Sequence, residues 1–143
     1  MRWLVLAILV AGCGRHSAAP LGRPLTGEEQ AKVRQAITLL LSANMGAQYN
    51  WGLGMYEQQR MAVAVLEGPG RPAWLPADAD AAIDPATQIM VWNERTLRDY
   101  PEHWLADVLI DEWSHVPGNG GHEAYYKLSA RLRGWWAEGG QAW

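Results

Sequence analysis

The segment from Trp104 to His115 constrains the fold more than any other stretch, because its apolar stripe runs into two groups that do not belong in a core. Trp104, Leu105, Val108 and Leu109 recur at the three- and four-residue spacing of one helix face, and Asp111 and His115 continue that spacing. Both polar groups are therefore expected to point inward. A buried carboxylate beside an imidazole is costly unless the two pair or share a cation. Pro101 near the start and Pro117-Gly118 at the end predict a helix over His103 to Val116.

The other elements follow from periodicity and punctuation. Thr26-Gly27-Glu28-Glu29 has the pattern of a capping box, and Val33, Ala36, Ile37, Leu40 and Leu41 then form one apolar stripe until Asn44-Met45-Gly46. Gln48 to Tyr56 mixes glycines and aromatics without a clean period and reads as a loop. Met61 to Leu66 and Gln88 to Trp92 are short apolar runs of strand length. The stretch between them, Gly68 to Pro85, reads as one long connection, and its Asp78, Asp80 and Asp84 lack the spacing and closing Glu of a calcium loop, which leaves them solvated. A last helix starts around Gly121 to Glu123 and carries Tyr125, Leu128, Leu132 and Trp135 on one face. The order helix, strand, strand, helix, helix predicts an α+β domain: a short sheet packed by an N-terminal helix, a motif helix and a C-terminal helix. The runner-up is a mostly helical domain in which one of the two strands is absent.

A length of 143 residues is that of one domain, so a single site or surface must carry the function. A net charge of −3 with no basic stripe excludes a nucleic-acid binder, which needs surplus cations to displace phosphate counterions. Nine Trp and no Phe mean that the aromatic core is built from Trp and Tyr, so each buried indole N–H requires an acceptor. Trp135, Trp136 and Trp143 are assigned to core packing and C-terminal docking, and His103 to the surface. No Ser sits in a Gly-x-Ser-x-Gly elbow, which argues against nucleophilic catalysis.

The N-terminus reads as targeting rather than fold. Met1-Arg2 precedes the apolar run Trp3 to Val10, and Val10-Ala11-Gly12-Cys13 closes it, too short to span a bilayer. These four residues resemble the lipobox of bacterial lipoproteins. That resemblance implies removal of residues 1–12, acylation of Cys13, and an exported protein of the bacterial cell envelope held at the membrane by its N-terminal lipid. Cys13 is the only cysteine, so no internal disulfide can form. Residues 13–24, which include His16, then form a flexible tether, and residues 25–143 form the domain.

Asp111-Glu112-Trp113-Ser114-His115 has the geometry of the zinc-binding His-Glu-x-x-His helix with Asp in place of the first His. Gly118-Asn119-Gly120-Gly121-His122 then supplies a further His after a glycine-rich break, three residues before Tyr125. The stretch from about Ala82 to Arg133 resembles a zincin metallopeptidase, and its third His, following aromatic and helix resemble those of SprT-like and related small metallopeptidases. The resemblance implies a zincin-like domain with Asp111, His115 and His122 as zinc ligands and Glu112 as the general base that takes a proton from the attacking water. It also implies Tyr125 or Tyr126 as donor to the developing oxyanion, and Gln88 to Trp92 as the edge strand that aligns an extended substrate. A peptide or protein in the cell envelope is the implied substrate, and the protein is expected to act as a monomer. The alternative is a catalytically inactive zincin-fold lipoprotein that serves as a binding or structural module.

Overall fold

The computed structural model describes residues 22–66, 75 and 78–140. The lipobox-like segment with Cys13, the tether's His16 and Trp143 lie outside the described residues. The first helix, α1 (Gly27–Ser42), begins at the expected capping box: Thr26 Oγ1 accepts from the Glu29 amide at 3.2 Å, and the Glu29 carboxylate accepts from the Thr26 amide at 2.8 Å. Its Val33, Ala36, Ile37 and Leu40 are buried, whereas Leu41 faces out, so the stripe is narrower than its spacing predicts.

The segment expected to be a loop is instead a helix, α2 (Gly46–Glu57). Tertiary packing overrides its poor local signal. A side-chain carbon added at Gly52 would lie 3.5 Å from Ile37 and 3.8 Å from Leu109, so glycine lets this helix sit close against its neighbours.

Strands β1 (Met61–Ala64), β2 (Ala81–Ile83) and β3 (Met90–Asn93) form one sheet in the order β1-β3-β2. β1 runs parallel to β3 with Met61 opposite Met90, and β2 runs antiparallel to β3 with Ala82 opposite Val91. Two expectations are corrected here. The long connection contains β2, and the strand within Gln88 to Trp92 lies at the centre of the sheet, not at its edge. That edge belongs to β2. On the opposite side, an antiparallel bridge between Arg23 and Val63 covers β1, with bonds of 2.8 Å in each direction. Gly22 is required beside it: its φ is +102°, and a side-chain carbon there would lie 2.5 Å from the Val63 carbonyl oxygen.

The sheet leads through a short helix, α3 (Glu94–Asp99), into α4 (Glu102–His115), which returns through residues 116–120 to α5 (Gly121–Ala137). This is the predicted α+β architecture, a three-stranded sheet packed by helices. The main core joins α1, the sheet and the helical hairpin α4–α5 through Ile37, Leu40, Met61, Met90, Trp92, Leu105, Leu109 and Leu132. Among the described residues, no helix is long and apolar enough to cross a membrane.

The aromatic expectations hold only in part. Trp135 is buried, but Trp136 is 43% exposed and stacks on His103, with ring centroids 4.2 Å apart. Trp92 is fully buried, yet its indole N–H has no acceptor among the described residues, contrary to the rule that each buried indole finds one. An unmet donor of this kind costs about 1–3 kcal/mol, a cost the surrounding core offsets.

Candidate metal centre

The site lies where the C-terminal end of α4 meets the N-terminal end of α5. Asp111 and His115 are one turn apart on α4, and His115 Nε2 is 3.2 Å from Asp111 Oδ1. His122 lies in the first turn of α5, and its ring meets that of His115 edge-on with centroids 4.9 Å apart. The connection makes this approach through Gly120, which has φ +96°; a side-chain carbon there would meet that of Ala124 at 2.9 Å. Asn119 ties the loop back by donating its side-chain amide to the Trp113 carbonyl at 3.0 Å. Asp111, His115 and His122 thereby form a group that can hold a metal ion, each offering a donor atom within 4.8 Å of the others.

The burial of these groups differs from the expected pattern. Trp104 is 54% exposed and Asp111 and His115 are each about two-fifths exposed at the side chain, so the inward stripe does not pass through them. The buried face of α4 instead runs through Leu105, Val108, Leu109 and Glu112. Glu112, adjacent to the ligand-type residues, is only 6% exposed and has no hydrogen-bond or ion-pair partner among the described residues. Burial pushes its carboxyl up to about 8, with smaller contributions from the negative charges of Asp111 and Asp80. Burial likewise raises the Asp111 pKa, and Asp107 adds to the shift, while His115 and His122 oppose it.

An open cleft of about 530 Å³ extends from this group. One wall is α4 and the start of α5, through Asp111, Glu112, His115 and His122; the other is β2 with the residues leading into it, Asp78 to Ile83. Asp80 is held by three donors: Tyr100 Oη at 2.9 Å, Thr96 Oγ1 at 3.3 Å and Arg95 at 3.4 Å. The acidic tract is therefore partly structural and not a merely solvated loop.

Of the two tyrosines expected near the site, Tyr126 is exposed and lies over His122 with centroids 6.3 Å apart. Tyr125 donates its hydroxyl to Asp107 at 2.7 Å, and burial, followed by that hydrogen bond, raises its pKa to about 12. Sequence reasoning located all three potential ligands and Glu112, but it missed β2 as the opposing wall. Its signal was only three small or apolar residues between aspartates. Comparison with known protein families, curated proteins and solved structures finds no match to this chain.

The three residues suit a metal ion on two grounds. Two imidazoles and one carboxylate are a donor set of catalytic zinc sites, which leave one position open. Bonds of about 2.0–2.2 Å place neighbouring ligand atoms roughly 3.4 Å apart, so the side chains need to close by little more than an ångström. Asp at the first motif position does not change the charge of that set relative to other two-imidazole, one-carboxylate sites.

Proposed function

We propose that this chain is a zinc-dependent peptidase, held in the bacterial cell envelope through the lipobox-like Val10 to Cys13, with Asp111, His115 and His122 as ligands. The observation that carries this reading is Glu112: a buried carboxylate without a partner, facing the cleft beside three convergent donor atoms. Burial disfavours the charged form of such a group, and a cation with its attacking water at the cleft would favour it.

Zinc bound here would polarise the scissile carbonyl and acidify the attacking water. Glu112 accepts a proton from that water as its oxygen bonds to the acyl carbon, and delivers the proton to the departing amine nitrogen as the C–N bond breaks. The cleft wall supports an extended substrate. The Asn93 amide donates to the Asp80 carbonyl and the Asp84 amide to the Ile89 carbonyl, each at 2.9 Å, so the ladder's alternation turns the amides and carbonyls of Ala81 and Ile83 to the open side. A peptide backbone can add there as a further strand.

The test is cleavage of a mixed peptide library by the full-length chain in mild detergent. Cleavage should require zinc and stop in Glu112→Gln while metal stays bound. Turnover by Glu112→Gln at the wild-type rate would overturn the assignment, and metal binding without any cleavage would favour the inactive binding module.

A further inference from the structure

Outside the ligand group, one polar cluster joins the two helices that carry it. Asp107 lies one turn before Asp111 on α4, and its carboxylate accepts from Tyr125 Oη at 2.7 Å and from Ser129 Oγ. Arg133 approaches the same carboxylate at 3.6 Å. Tyr125, Ser129 and Arg133 follow one another at four-residue spacing on α5, and His122 lies seven residues before Ser129, which puts it on the same face. Two stripes therefore face each other in register: Asp107, Asp111 and His115 on α4, and His122, Tyr125, Ser129 and Arg133 on α5.

The connecting residues 116–120 fix where α5 begins, but two of them are glycines, and the core side chains of α5, Leu132 and Trp135, lie in its C-terminal half, so Tyr125 and Ser129 are the contacts placed to set the rotation of its first turns. Ser129 is buried and Tyr125 partly so, and both spend their hydroxyl protons on Asp107. Rotation of α5 by one side-chain position would break both bonds and also swing His122 away from His115. Hydrogen bonds to a charged acceptor are shorter and stronger than neutral ones, which suits them to this task.

We propose that Asp107 is a positioning residue for the metal centre: by gripping Tyr125 and Ser129 it fixes the rotation of α5 and so holds His122 within ligand distance of Asp111 and His115. This rests on the metal-site reading above. It assigns Tyr125 to holding the helix rather than to the reacting carbonyl.

The experiment is cobalt(II) titration of the full-length chain in mild detergent, read by the visible ligand-field spectrum. It compares wild type, Asp107→Ala, Asp107→Asn and the milder pair Tyr125→Phe/Ser129→Ala. Val33→Ala serves as a control that weakens the core at α1, a helix that carries none of the three ligands. Circular dichroism confirms that each variant is folded. Asp107→Ala and the double variant should bind cobalt about 10- to 100-fold more weakly, with a weaker, shifted spectrum, as removal of outer-shell support does at other metal sites. Asp107→Asn keeps one acceptor oxygen and should recover part of the affinity. Val33→Ala should bind like wild type. Wild-type affinity and spectrum in the double variant, or an equal loss in Val33→Ala, would overturn the proposal while leaving the metal centre intact. Failure of wild type itself to bind cobalt would overturn the metal reading and the positioning role with it.

Discussion

Replacing Glu112 with glutamine should stabilise the metal-free protein, by an amount that grows with pH. Glu112 is 6% exposed, and burial holds its carboxyl near 8 in the fold against an ordinary 4.5. Below pH 4.5 the group is protonated in both folded and unfolded chains and carries no penalty. As pH rises, the unfolded chain ionises freely while the folded one resists, so stability falls until the folded carboxyl also ionises above about 8. The full penalty is about 5 kcal/mol, of which about 3 kcal/mol is present at pH 7 and about 1 kcal/mol at pH 5. Glutamine keeps the shape and removes the titration, although its buried amide offsets part of the gain. The pH dependence is therefore the diagnostic. Urea unfolding in EDTA should show an advantage for Glu112→Gln that is larger by about 2 kcal/mol at pH 7 than at pH 5. Zinc should shrink that advantage, because a bound cation favours the ionised carboxylate of the wild type. A difference that does not change with pH, or one that grows toward acid, would refute the assignment of Glu112 as a buried, uncompensated carboxyl.

Three further outcomes follow from the fold. Thr26→Ala should cost about 1 kcal/mol in urea unfolding, because it leaves the Glu29 amide without its cap, with no effect on metal binding. Gly22→Ala should destabilise by more than about 1 kcal/mol, because its side-chain carbon has no room beside the Val63 carbonyl and its φ is +102°; amide hydrogen exchange at Val63, which donates to the Arg23 carbonyl, should quicken first. Ala81→Pro removes an amide from the open side of β2 without breaking the ladder to β3, so it should raise KM for extended peptides several-fold and leave zinc content unchanged; an unchanged KM would exclude strand pairing there.

Much of this was legible in residue spacing. The capping box at Thr26 and Glu29 marks the start of α1, Pro101 and Pro117 bracket α4, and the four-residue interval between Asp111 and His115 places two donors together. What stayed hidden depends on contacts between distant segments. Gly46, Gly52 and Gly54 erase the helical signal of α2, yet Gly52 is what allows that helix to lie against Ile37 and Leu109. β2 is defined by its pairing with β3 and not by its own residues, so neither its existence nor the central place of β3 was visible. Residue spacing alone misplaces the buried face of α4, because it puts Trp104 in the core although that side chain is exposed. With Trp104 outward, Glu112 takes the interior position and Asp111 and His115 border the open cleft.

Elemental analysis decides whether the three residues hold a metal ion. The full-length chain is purified in mild detergent without chelators or a metal-binding tag, supplied with zinc, and freed of unbound ion, beside His115→Ala and Glu112→Gln. About one zinc per chain is expected in the wild type and in Glu112→Gln, and its loss in His115→Ala, because the proposed ligands are two imidazoles and the Asp111 carboxylate, not Glu112. A wild-type chain that retains no zinc, or a His115→Ala chain that retains it fully, would contradict the assignment of Asp111, His115 and His122 as a metal centre.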